Sequence, residues 1–202
     1  MAWLEPVTLK GTHASLEPLA PAQADELSAA VRDGELWNLW YTAIPTPEKM
    51  GAEIERRLGL YAKGGMLPWA VRSHALGRLV GMTTYMNVDQ VHKRVEIGST
   101  WYAKSAQRSP LNTECKLMLL THAFEKLDCI AVEFRTSFFN FASRNAIARL
   151  GAKQDGILRN HQRHADGSLR DTVVFSITPA EWPAVKMHLQ YQLQRPRTEA
   201  AQ

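Results

Sequence analysis

The apolar positions of this chain change period several times, and the changes mark its elements. Leu4 to Leu9 and Ala14 to Leu19 read as short strands around the turn Lys10-Gly11-Thr12. Pro21 then opens a helix with Ala24, Leu27, Ser28 and Val31 on one face, ending near Gly34. After an aromatic-rich stretch, Leu36 to Ile44, and the break Pro45-Thr46-Pro47, Met50, Ile54, Leu58 and Tyr61 recur at helical spacing up to Gly64-Gly65. From Leu67 the pattern predicts three consecutive strands, Trp69 to His74, Arg78 to Val88 and Val91 to Tyr102, with turns at Leu76-Gly77 and Asp89-Gln90.

A polar loop, Ala103 to Ser109, leads into a helix. Ser109 suits its N-cap and Pro110 its first position. The helix is expected to reach about Leu127, with Leu117, Leu120, Phe124 and Leu127 as its apolar stripe. Cys129 to Thr136 reads as a strand and Asn140 to Leu150 as a helix closed by Gly151. Lys153 to Arg159 and Arg170 to Ile177 read as strands around a loop at Ala165-Asp166-Gly167. Pro179 opens a last helix with Trp182, Val185 and Leu189. The order predicts an α+β fold, a mostly antiparallel sheet with helices on its faces. One domain over residues 1–194 is expected, followed by a disordered tail over 195–202.

Composition narrows the function classes. Of 202 residues, 45% are hydrophobic and 22% charged, the balance of a chain that buries a core. There is no apolar run of membrane-spanning length, no secretory leader pattern, and no G-x-G-x-x-G or Walker loop. Cys115 and Cys129 are too few for a disulfide framework and read as buried thiols in a reducing cytoplasm. The net charge of +4 favours an anionic ligand but is too small and too spread to argue for a nucleic-acid groove.

Several segments together resemble the GNAT N-acetyltransferases, and within them the Rim-type branch, which includes enzymes acetylating ribosomal-protein N-termini. They are Arg94-Val95-Glu96-Ile97-Gly98 with Trp101-Tyr102, and Gln107 through Asn112-Thr113-Glu114-Cys115-Lys116. Next come Asn140-x-x-Ser143, Leu150-Gly151-Ala152 and Asp155-Gly156-x-Leu158-Arg159, then Gly167-x-x-Arg170-Asp171-Thr172 and Glu181-Trp182-Pro183. Each motif is weak alone; their order and spacing are specific.

The resemblance implies a mixed sheet of about seven strands, with helices on both faces and a V-shaped splay between the fourth and fifth. Here these are the strand containing Glu96 and the strand Cys129 to Thr136. It implies acetyl-CoA as co-substrate and a primary amine, on a small molecule or a peptide N-terminus, as acceptor. CoA would pair along the strand edge at Ile97, Gly98 and Trp101. Its diphosphate would rest on Gln107, Arg108, Ser109 and Leu111, with Asn112 and Thr113 at the start of the helix, and Asn140 would hold the pantetheine or the substrate. A homodimer is an expectation of the same kind. Physics supports the phosphate placement, because a helix start offers unpaired N–H groups and partial positive charge. The loop departs from the family in having no glycine, and Pro110 has no N–H to offer.

Acyl transfer needs a neutral amine. At pH 7 deprotonation costs roughly 4–5 kcal/mol for a lysine-like amine and about 1 for an α-amine. Glu96, flanked by Val95 and Ile97, is the candidate base, desolvation raising its pKa toward a useful range. The alternative is a sheet glutamate paired with Arg94 or Lys93. Gly98 suggests a bulge whose N–H groups polarise the thioester. Asn140 is first an N-cap. Ser143 is the candidate to face the leaving sulfur, because Ile147 stands where many GNATs carry a tyrosine acid. Trp37, Trp40 and Tyr41 are expected to wall the acceptor site, where a cation could lie against the rings.

His161 and His164 are poor zinc evidence, and no metal is expected. Two other function classes stay open: a CoA-binding or interaction module without catalysis, and a basic RNA-associated protein.

Overall fold

The computed structural model describes residues 3–164 and 166–195. Eight strands form one sheet: β1 Leu9–Lys10, β2 Ala14–Pro18, β3 Met66–Ser73, β4 Arg78–Asp89, β5 Arg94–Tyr102, β6 Ala131–Ser137, β7 Lys153–Arg163 and β8 Leu169–Ile177. Five α-helices accompany them: α1 Ala24–Arg32, α2 Met50–Ala62, α3 Leu111–Glu125, α4 Phe141–Ala148 and α5 Trp182–Gln194. The strand order is β1-β2-β3-β4-β5-β6-β8-β7. Every neighbouring pair is antiparallel except β5–β6, which is parallel.

That parallel seam positions the site. β5 and β6 pair at three places, Arg94 with Ala131, Val95 with Val132 and Glu96 with Glu133. Beyond them the strands part, while β6 stays paired with β8 as far as Ser137. The splay therefore lies between the two segments expected to form it. They are fifth and sixth in the count because the two-residue β1 is a strand of its own.

Alternation along β4 assigns the faces. Tyr85 donates its hydroxyl to Leu119 O on α3, while Thr84, one residue earlier, receives Arg57 Nη1 of α2 at 2.7 Å. Successive strand residues face opposite sides, so α2 and α3 cover opposite faces. β3 accordingly buries almost every residue, Trp69, Ala70 and Val71 among them, as a strand covered on both faces must.

Three sequence expectations need correction. Leu4 to Thr8 are not strand: Pro6 has no N–H for a ladder, and Val7 O is taken by the Trp69 indole at 2.7 Å. α3 begins at Leu111, with Pro110 at the boundary, and Ser109 Oγ accepts weakly from Leu111 N at 3.3 Å. The stripe on α3 is also misplaced. Cys115, Leu119, Leu120 and Ala123 are buried, whereas Leu117 and Phe124 are only partly so. This helix is wedged between β1, β2 and α5 and has no single wet face. Of the expected tail, Arg195 is described and 196–202 lie outside the described residues, as does Ala165 of the last loop.

Candidate functional site

The splay opens a cavity of about 1040 Å³. β5 supplies one wall from Glu96 to Tyr102, and β6 and the start of α4 supply the other. The loop before α3 and the linker between α1 and α2 complete it.

Glu96 is 5% exposed at the throat of the splay. Asn87 Nδ2 donates to its Oε2 at 2.6 Å, and Arg135 Nε lies 3.5 Å from the same oxygen. Burial raises the carboxyl's pKa. The Asn87 hydrogen bond and the charges of Arg135 and Arg170 pull it back, Glu133 pushes up, and the net direction is up. The neighbouring basic residues do not pair with it: Arg94 bonds Glu133, and Lys93 bonds Asp128. Gly98 makes room for this carboxylate. A Cβ there would sit 2.8 Å from Glu96 Oε1 and 2.6 Å from Met86 Sδ. Just beyond it the β4–β5 register slips, so that Ser99 and Thr100 together bulge between Gly98 and Trp101. Ser99 adopts φ 47°. The expected bulge is present, one residue past the glycine.

Ile97, Gly98 and Trp101 line the cavity along the β5 edge that β6 leaves unpaired. Gln107, Arg108, Ser109, Asn112 and Thr113 line its far end; Leu111 is buried in the core and does not. Arg108 takes φ 56°, the left-handed conformation that a glycine adopts at no cost. The loop thus keeps a glycine-like backbone shape without the glycine.

Asn140 Oδ1 caps α4 by accepting Ser143 N at 3.0 Å, and Ser143 and Ile147 line the same wall. Of the three aromatic residues expected around the acceptor, Tyr41 lines the cavity. Trp37 instead packs partly buried against the core. Trp40 is 60% exposed on the rim, touching Tyr41, Phe139 and His164 at ring distances of 5.6–5.7 Å. His161 bonds Thr172 Oγ1, so the two imidazoles of the H-x-x-H pair serve different neighbours. No cluster of three or more His, Cys, Asp or Glu suited to a metal occurs among the described residues.

Two site residues were given no role by the sequence, Lys116 entering there only as a motif member. Arg57 is 2% exposed and binds Glu53, Thr84 and the Ser99 carbonyl, tying α2 to the bulge. Lys116 is 6% exposed beneath the same bulge from the α3 side, its Nζ at 3.0 Å from Thr100 Oγ1 and 3.4 Å from Thr83 Oγ1. Burial lowers its pKa to about 8. The available signal was position: Arg57 falls three residues after Ile54 on the buried stripe of α2, and Lys116 four before Leu120 on α3. A third residue, Glu114, anchors the start of α3 to the β1–β2 turn. Its carboxylate accepts the backbone N–H groups of Thr12, His13 and Ala14 at 2.7, 2.6 and 2.8 Å.

Charge in the cavity is one-sided. Arg57, Arg108, Lys116, Arg135, Arg149, Arg170 and Arg195 line it, and Glu96 is the one carboxylate that does so among the described residues.

This geometry has relatives. Residues 14–153 match the family model described as "Acetyltransferase (GNAT) domain". The chain is 33% identical over 110 residues to YdaF of Bacillus subtilis (strain 168), provisionally named a ribosomal N-acetyltransferase. That match spans 54% of this chain and 59% of YdaF, somewhat over half the relative's length. A GCN5-related N-acetyltransferase from Brucella melitensis superposes with TM-score 0.81 at 31% identity, covering 94% of this chain and 86% of that one. Mycobacterium smegmatis RimJ, solved in complex with CoA-disulfide, superposes at 0.79 over 93% and 95% of the two chains. At 21% identity it speaks for the fold alone. The open sheet, its parallel seam and the matched span agree, and the chain belongs to the GNAT acetyltransferase family.

Proposed function

We propose that this chain transfers an acetyl group from acetyl-CoA to a primary amine by direct attack, with Glu96 as the base. One observation carries the reading: a buried carboxylate of raised pKa stands where the unpaired edge of β5 begins. A group with the shape and charge of CoA fits the residues present. The β5 edge offers backbone donors and acceptors to an extended pantetheine. The start of α3 offers first-turn N–H groups that no carbonyl within the helix can satisfy, and Arg108 adds charge beside them.

Acetyl-CoA supplies the activated acyl group as a thioester. Glu96 takes the proton of the acceptor amine, directly or through one water, and Asn87 and Arg135 hold its carboxylate in place. The backbone of the Ser99–Thr100 bulge, braced by Arg57 and Lys116, provides the rigid donors that an oxyanion requires. Ser143 gives the hydrogen bond to the departing thiolate, and Ile147 keeps that wall apolar. YdaF's name, a ribosomal N-acetyltransferase, favours a ribosomal amine as acceptor, and of protein amines an α-amine has the smaller deprotonation cost.

A second reading, a CoA-binding module without turnover, draws on Pro110 and Ile147, which depart from the family pattern. Calorimetric titration with acetyl-CoA and with CoA, followed by thiol release over an amine panel, decides between them. Micromolar binding with amine-dependent release supports the enzyme, and binding without release supports the module. Glu96→Gln should lower turnover about 10²- to 10⁴-fold; unchanged turnover at every pH would remove Glu96 as base.

A further inference from the structure

The cavity's cations divide by position. Arg108 stands beside the start of α3, where a diphosphate would account for it. Arg135 on β6 and Arg170 on β8 stand beside Glu96 at the other end. The register places them there. Glu133 pairs with Glu96, and Arg135 follows Glu133 by two. Across the next ladder Arg135 pairs with Val174 and Ser137 with Thr172, and Arg170 precedes Thr172 by two. Strand alternation therefore turns Arg135 and Arg170 to the face that carries Glu96. The electrostatics agree, since both guanidinium groups act on the Glu96 carboxyl.

The two differ in how far their own surroundings satisfy them. Arg135 gives two hydrogen bonds to Glu133, at 3.1 and 2.8 Å. Arg170 has no such partner. Its Nη1 binds the neutral Gln162 Oε1 at 2.5 Å, and its Nε is buried without a hydrogen bond among the described residues. Desolvation of a guanidinium that hydrogen-bonds no carboxylate is costly, and a planar fork with an unspent Nε donor matches a carboxylate. His161, which bonds Thr172 Oγ1, also lines the cavity. With Glu133 engaged by Arg135, a polyamine would meet the Arg170 guanidinium with Glu96 as the one carboxylate lining the cavity among the described residues; an acceptor bearing its own anion would complete the set.

We propose that the acceptor carries a carboxylate close to its reacting amine, and that Arg170, assisted by Arg135, binds that carboxylate and so turns the amine toward Glu96. This rests on the acetyl-transfer reading and narrows it to a substrate class. The shared chemistry, an amine beside a carboxylate, has two sources: a free α-amino acid, or a peptide whose N-terminal residue is followed by an acidic one. Arg170 is a specificity residue in either case.

The test is thiol release by the full chain with acetyl-CoA and matched acceptors, rates being compared per neutral amine. Glycine against glycinamide probes the first source. The peptide amides Ser-Asp-Ala and Ser-Asn-Ala probe the second, and putrescine and spermidine serve as cationic acceptors. The carboxylate member of one pair should lead its partner at least tenfold in kcat/KM, with the polyamines slowest, and the pair that responds names the source. Arg170→Gln should bring that ratio close to one through KM, and Arg170→Lys should keep part of it. Parity in both pairs, a lead for the polyamines, or a preference that survives in Arg170→Gln overturns the proposal while leaving acetyl transfer standing. CoA binding with no release from any acceptor overturns the acetyl-transfer reading, and this one with it.

Discussion

Replacing Lys116 with methionine should stabilise the protein at pH 7. The lysine lies buried against two threonine hydroxyls with no carboxylate in ion-pair range among the described residues. Burial takes its pKa from an ordinary 10.5 to about 8. At 1.36 kcal/mol per unit, keeping it charged in the fold costs about 3 kcal/mol below pH 8. The unfolded chain holds this proton up to about 10.5 and the folded chain releases it above about 8, so the lysine's contribution to stability rises with pH across that window. Methionine fills much of the space and removes the charge. It also loses two weak hydrogen bonds, about 1 kcal/mol each, while Thr83 and Thr100 still bond one another at 2.8 Å.

The net expectation for Lys116→Met is a gain of about 1–2 kcal/mol at pH 7, or a Tm higher by about 3–6 °C for a chain of this size. Between pH 7 and 9.5 wild type should recover about 2 kcal/mol relative to the variant. Cys115 and Cys129, both pushed up to about 12 by burial, lower stability as pH rises past the ordinary thiol range. Cys129 does so equally in both proteins and cancels in the comparison, whereas Cys115 loses in the variant the Lys116 charge that draws its pKa down, so its destabilisation sets in more fully there and adds to the wild type's recovery at high pH. Thermal unfolding followed by circular dichroism at the two pH values measures all of this. A variant less stable than wild type at pH 7, or an advantage identical at both pH values, would refute the reasoning.

Glu114→Ala strands three backbone donors at the β1–β2 turn. It should cost about 3–5 kcal/mol in urea unfolding, and an unchanged midpoint counts against the anchoring role. Gly98→Ala drives a methyl against Glu96 Oε1 and Met86 Sδ. It should lower kcat/KM at least tenfold, and wild-type kinetics would show that the carboxylate can move aside freely. The acid limb of kcat/KM should lie above the ordinary carboxylate pKa of 4.5, following the upward shift of Glu96. Asn87→Ala removes a hydrogen bond to the ionised form and should move that limb further up; a downward move would assign the limb to another group.

The sheet was legible in the sequence because its strands alternate and its turns carry Gly or Asp, as at Leu76-Gly77 and Asp89-Gln90. Glu96 stood out as a charge inside an apolar strand. The supports of the site did not. Arg57 and Lys116 look like ordinary solvent-facing charges, and their burial depends on Thr84, Ser99 and Thr100, which lie on a different part of the chain. Glu114 was visible as a motif member, but its partners lie about 100 residues away. Composition says that aromatic groups gather, not which way each ring turns in a linker between helices, so it could not tell Trp37, packed against the core, from Trp40 and Tyr41, which stand together at the cavity.

The seam at Arg94–Glu96 has a mechanical consequence. Three parallel rungs join the sheet's five leading strands to its last three, next to strands paired over much longer stretches. Local opening takes the route with the fewest bonds to break, so amide hydrogens there should exchange with solvent faster than those of β3 or β4. A ligand lying along the free margins of β5 and β6 would act as a splint across this join. The rigidity of the fold is thus completed by what it binds, and the protection of the seam becomes a gauge of occupancy.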